Sequence, residues 1–154
     1  MEMPKPGSPH QKLQRLSGKW TGEEKMHPSP WDPKGGTATG RILNRLSLDG
    51  FVVVQDYEQE RSGAVTFRGH GVFSYNPAQQ CYVMHWWDTM GMPPNEFKGN
   101  FVGNVLTFTG QNPQGVSRAT FDLGQEGTYK FKMEASQDGK QWHTFMEGSY
   151  LKEK

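Results

Sequence analysis

From Lys19 to Leu151 charged and small polar residues repeatedly occupy every second position, with apolar or aromatic residues between them. Successive side chains of a strand point to opposite faces, so this period of two predicts half-buried β-strands. Lys19, Thr21, Glu23 and Lys25 mark one outer face and leave Trp20, Gly22, Glu24 and Met26 inward. Asp56, Glu58 and Glu60 do the same for Phe51, Val53, Gln55, Tyr57 and Gln59. Lys130, Lys132 and Glu134 face out, with Tyr129, Phe131 and Met133 in, while Arg41 and Arg45 turn Ile42, Asn44, Leu46 and Leu48 inward. Residues 81–88 fit either face, and the inward set is taken as Tyr82, Met84, Trp86 and Asp88.

Turn chemistry divides this pattern into ten segments, at about 18–27, 38–48, 51–61, 64–75, 81–88, 95–102, 105–111, 116–123, 128–136 and 141–151. Asp49-Gly50, Ser62-Gly63, Asn76-Pro77, Gly103-Asn104, Asn112-Pro113-Gln114-Gly115, Gly124–Gly127 and Asp138-Gly139 each supply a positive-φ residue or a preset proline φ at hairpin length. Ten evenly spaced strands in one open sheet would leave exposed edges, so the expected fold is all-β, a closed up-and-down antiparallel barrel. A two-sheet sandwich is the alternative. Residues 1–9 read as a flexible lead-in to a single domain over 10–154. Ser8-Pro9-His10-Gln11 fits a capping box for one short helix carrying Leu13 and Leu16 and ending at Gly18.

Composition then changes what the core can be. Leu, Ile and Val together number 18, against 19 aromatics and 8 methionines, so rings and thioethers carry much of the interior. Several inward positions are polar, namely Glu24, Asn44, Gln55, Tyr57, Gln59 and Asp88. Such groups require partners, water or a ligand, because an unpaired buried carboxylate costs several kcal/mol. A barrel of more than about eight strands has an interior wide enough for all three. Seventeen basic residues against 16 acidic ones argue against a nucleic-acid or anionic-membrane surface. The single Cys81 rules out an internal disulfide framework, and the absence of a long apolar run or a secretory h-region leads to a cytoplasmic expectation.

In a meander, alternate connections share one end. Both long loops, 28–37 and 89–94, fall on the same end, which is therefore the expected mouth. Glu24, Met26, Tyr57, Gln59, Trp86 and Asp88 lie near it, with Trp31, Met90 and Met92 overhanging.

Leu16-Ser17-Gly18-Lys19-Trp20-Thr21-Gly22-Glu23, Leu48-Asp49-Gly50-Phe51, Gly69-His70-Gly71-Val72 and Trp86-Trp87-Asp88-Thr89-Met90-Gly91 together resemble domain-of-unknown-function family 1579, small bacterial proteins. The likeness runs from about 13 to 151, and the G-x-W-x-G opening is also similar to calycin-like barrels, including lipocalins, fatty-acid-binding proteins and haem-binding nitrobindins. The resemblance implies a calycin-like barrel with Trp20 plugging its closed base, and no particular activity.

The function expected from these residues is the binding of a small, partly apolar molecule inside the barrel by a protein that is not an enzyme. Trp20, Met26, Met84, Trp86, Met90 and Met92 supply apolar wall, while Glu24, Asn44, Gln55, Tyr57, Gln59 and Asp88 orient a polar end. Carboxylates at the mouth, with no inward Arg or Lys, favour a neutral donor-rich or cationic group. An enzyme using Glu24 or Asp88 as general acid or base, with Tyr57 as donor, is the second reading. Haem ligated by His143, as the nitrobindin resemblance implies, is the third. His70 and His85 on neighbouring strands leave a metal ion short of ligands, so no metal or cofactor is expected. The protein is read as a monomer, or a homodimer pairing through an outer face that includes Trp87.

Overall fold

Each turn signal closes a hairpin, and the ten strands pair in sequence until the last meets the first. The computed structural model describes residues 1–154. Helix α1 (Ser8–Gln14) precedes β1 (Gly18–Met26), β2 (Gly36–Ser47), β3 (Val52–Arg61), β4 (Ala64–Asn76) and β5 (Cys81–Asp88). β6 (Asn95–Val102), β7 (Val105–Asn112), β8 (Gly115–Asp122), β9 (Thr128–Ser136) and β10 (His143–Lys152) complete the wall. β10 pairs antiparallel with both β9 and β1, which closes the barrel and leaves no free edge.

The predicted inner faces line one continuous core. Val53, Phe73, Leu106, Phe108 and Ala119 are fully buried. Phe73, Phe108, Phe121, Tyr129 and Trp20 run through the interior as successive edge-on or tilted ring contacts. These rings supply much of the core in a chain with only eighteen Leu, Ile and Val. On β5 the core takes Tyr82 and Met84, with Trp86 packed against it and Trp87 outside.

Helix α1 seals one end. Leu13 and Leu16 are buried there, and the Leu16 carbonyl accepts from Trp20 Nε1 at 2.8 Å and Asn44 Nδ2 at 2.8 Å. Gln55 Nε2 donates to Asn44 Oδ1 at 3.0 Å, tying the base of β2 and β3 to the same point. Tyr82 OH donates to Pro9 O, Gln14 to Gly50 O, and Arg15 to Asn104 Oδ1 and Leu123 O. The helix thus holds a side chain or loop from each hairpin at its end.

Three details differ from the sequence pattern. The helix cap is Gly7 rather than Ser8, and the Gly7 N–H donates to His10 Nδ1 at 3.1 Å. His10 is held for this role by edge-on packing against Phe51 and Tyr75, a tertiary contact that shifts the start by one residue. Leu46 and Leu48 are exposed rather than inward. The β1 ladder ends at Gly18↔Asn44, so Leu46 extends past its neighbour, and Leu48 turns out with φ of 50°. Glu134 does face outward but is buried, because Arg118 from β8 forks onto both its oxygens at 2.9 and 3.1 Å. Arg118 also stacks 3.9 Å from the Trp142 ring, fastening the β9–β10 loop, and its guanidinium holds the Glu134 carboxyl below the usual carboxylate range.

Candidate functional site

The upper half of the barrel contains a polar cluster centred on Glu24, which is completely buried. Glu24 comes from β1, two residues before the strand ends at Met26, and its register partners are Ala38 on β2 and Gly148 on β10. Tyr57 OH lies 2.7 and 2.8 Å from its two oxygens, Tyr150 OH donates to Oε2 at 2.5 Å, and Gln59 Nε2 donates to Oε1 at 3.0 Å. Gln59 also donates to Tyr57 OH at 3.0 Å and approaches Met26 Sδ at 3.7 Å. The carboxylate is thereby a fixed acceptor, with both oxygens engaged.

Glycines make the room. A Cβ at Gly40 would overlap Glu24 Oε2 and meet Tyr150 Cε1 at 2.9 Å, and one at Gly148 would overlap the Tyr150 hydroxyl. Burial first, then the Glu24 charge, push the Tyr57 and Tyr150 hydroxyls far above the usual tyrosine range, so both stay neutral donors. Tyr129 is likewise raised by burial, but its hydroxyl, deep beside Asn44, makes no hydrogen bond of ordinary geometry. Two tyrosines on neighbouring strands therefore carry opposite expectations. Tyr150→Phe removes a charge-assisted bond and should lower unfolding free energy by about 1.5–3 kcal/mol. Tyr129→Phe removes an unsatisfied buried group and should be neutral or stabilising, by up to about 1 kcal/mol. Urea unfolding of the two variants beside the wild type checks the contrast, and equal losses would refute it.

Above this floor stands a half-buried apolar ring. Phe67 on β4, Trp86 on β5, Phe131 and Met133 on β9 and Met146 on β10 pack against the core while remaining partly open. Met26, Met146 and Met133 are direct register neighbours across β1, β10 and β9. The Trp86 indole lies across Gly69 and Gly71 of β4, where a Cβ would collide with its ring at Gly69 and crowd it at Gly71, and its Nε1 donates to Asp88 Oδ2 at 2.9 Å. Asp88 Oδ1 accepts from the Met90 N–H, which fixes the start of the β5–β6 loop. Arg61 at the rim is held by Asp32 and the Gly35 carbonyl. At the barrel end opposite α1 a partly exposed apolar ring therefore adjoins a buried polar cluster, and together these residues make up the cup.

The sequence-derived site residues separate into three groups. Glu24, Met26, Tyr57, Gln59, Trp86 and Asp88 lie in or around this cup. Trp20, Asn44 and Gln55 belong to the sealed base, where their polar atoms tie strands to α1, and Met84 is buried in the core. Met90 and Met92 are 74% and 68% exposed, and Trp31 packs its ring on Phe145 outside the cup. Glu24 and Asp88 are not hydrogen-bonded to each other and serve different partners. Tyr150 is the participant that sequence reasoning missed. Alternation along β10, with Glu147, Ser149 and Leu151 outward, already places Gly148 and Tyr150 on the inner face.

The residues present do not fit a histidine-ligated haem in this cup. His143 is exposed and donates from Nε2 to the Pro28 carbonyl at 3.1 Å. His27, His70 and His85 pair with Glu147, Asp56 and Glu96 on the outer wall, and His10 lies under the helix cap. No three His, Cys, Asp or Glu side chains converge on one point. No helix is long and apolar enough to cross a membrane.

The fold is a ten-stranded antiparallel meander, closed on itself and plugged at one end by a short helix. The chain belongs to the family described as "Protein of unknown function (DUF1579)", which matches residues 5–152. No curated protein matches the sequence. Among solved structures, Rv2717c from M. tuberculosis is similar with a TM-score of 0.70 at 10% identity, over 97% of this chain and 100% of that one. The S-type phycobiliprotein lyase CPES from Guillardia theta is similar with a TM-score of 0.61 at 11% identity, over 96% of this chain and 94% of that one. At these identities the likeness is one of fold.

Proposed function

We propose that this barrel binds a small, partly apolar molecule in the cup opposite α1. The observation that carries the reading is the pairing of a half-buried ring, Phe67, Trp86, Phe131, Met133 and Met146, with the hydrogen-bonding floor of Glu24, Tyr57 and Gln59. Apolar walls with a few fixed polar groups are the usual composition of a ligand pocket. The methionines add adaptability, since an unbranched thioether can repack around different shapes. A structural neighbour that is a phycobiliprotein lyase adds support at the level of fold.

Thermal shift with a metabolite library, followed by native mass spectrometry of the hits, tests this. A ligand at about 100 times its Kd stabilises the folded state by about 2.7 kcal/mol. For a chain of this size that raises Tm by roughly 5–10 °C. Met133→Trp should fill the cup and abolish the shift. Hits that bind Met133→Trp as tightly as wild type would put the site elsewhere, and a library without hits would count against the reading.

A further inference from the structure

Two features of the cup constrain the charge and the substitution of its ligand. The Glu24 carboxylate is wholly buried, takes part in no ion pair, and is met only by the neutral donors Tyr57, Tyr150 and Gln59. No cation of the chain pairs with this carboxylate, so a cationic group brought beside it would meet no competing counter-ion. Asp88 adds a second carboxylate beside Trp86, and Arg61 at the rim is already engaged by Asp32 and Gly35.

The second feature is aromatic. One face of Trp86 is laid on the β4 backbone at Gly69 and Gly71, which turns the other toward the interior. Tyr57 stands 6.2 Å from Trp86, tilted by 50°, and Phe67 meets Tyr57 edge-on at 6.2 Å. Asp88 accepts the indole N–H, and a negative acceptor there increases the electron density that the ring presents to a cation. Three rings backed by two carboxylates form one wall of an aromatic cage.

A primary ammonium is strongly hydrated and must find three acceptors when it leaves water. The cage offers few free ones, because both Glu24 oxygens and both Asp88 oxygens are already engaged and, apart from Gln59 Oε1, the remaining wall is ring and thioether. An alkylated ammonium needs none, and its diffuse charge is what π-faces and methionine sulfur accommodate. We propose that the cup recognises a quaternary or fully N-alkylated ammonium group attached to an apolar chain. This rests on the cup being the binding site, and it specifies which class of molecule that site takes.

Calorimetric titration of the full chain with octyltrimethylammonium, octylammonium, 1-octanol and octanoate, all below micellar concentrations, tests it. The trimethylammonium compound should bind about tenfold tighter than the alcohol, with the primary amine and the carboxylate weaker still. The ratio of trimethylammonium to alcohol affinity should fall about tenfold in Glu24→Gln and again in Trp86→Leu. Trp86→Leu keeps the test decisive if Glu24→Gln does not fold. Octanol or octanoate binding as tightly as the cation overturns the inference and leaves interior binding standing. Tighter binding of octylammonium overturns the requirement for alkylation, while no binding by any of the four overturns both readings.

Discussion

Gly22→Ala is expected to lower the unfolding free energy by about 3 kcal/mol, at the upper end of the usual cost of overpacking. Gly22 sits on β1 opposite Tyr150 of β10, on the seam where the last strand meets the first. A Cβ there would overlap the Ser149 carbonyl oxygen and lie 2.7 Å from Ser149 C and 2.8 Å from Tyr150 Cα. These are backbone atoms, so no rotamer change relieves the clash and the two strands must move apart. Separation at this point also carries Tyr150 away from Glu24, coupling barrel closure to the integrity of the floor. Urea unfolding followed by circular dichroism checks the loss. An unchanged midpoint would mean that β1 and β10 are further apart than this register requires.

Glu24→Ala is expected to cost about 3 kcal/mol, because it leaves the Tyr57, Tyr150 and Gln59 donors without their common acceptor. Each stranded buried donor alone costs about 1–3 kcal/mol. Release of the buried carboxylate from its own desolvation offsets part of the sum. Glu24→Gln preserves the volume and one acceptor oxygen, so its loss should be clearly smaller. The order wild type, Gln, Ala in denaturation midpoints is the expected result, and an alanine variant as stable as wild type would show that the cluster does not hold the upper barrel together.

The two expectations differ in how far they could be anticipated. Strand alternation alone places Glu24 inside, since Lys19, Thr21, Glu23 and Lys25 mark the outer face. Tyr57 and Gln59 followed for the same reason on β3. Their convergence on one carboxylate did not, because it depends on β2 lying between β1 and β3 in a register that brings Gly40 opposite Gln59. Asn44 and Gln55 illustrate the opposite outcome. Alternation made them inward and polar, and therefore apparent ligand groups, yet their partners are the Leu16 carbonyl and each other. A buried polar residue reveals that it needs a partner without revealing whether that partner is a ligand or the chain's own backbone. Loop length places Met90 and Met92 at the mouth end but does not say whether they fold over it, and both are exposed.

What the sequence by itself determined was the strand count, the turn positions, the inner face of most strands and the presence of polar groups within. All of these depend on residues a few positions apart, where side-chain alternation and turn φ preferences operate. Tertiary structure alone decided which polar groups became fastenings and which became a floor. Tyr150 reaches Glu24 across 126 residues of chain, and Gly40 and Gly148 make space for both only once β2, β1 and β10 lie side by side. Closing the barrel makes those three strands neighbours, and no local pattern encodes the distance at which the first strand meets the last.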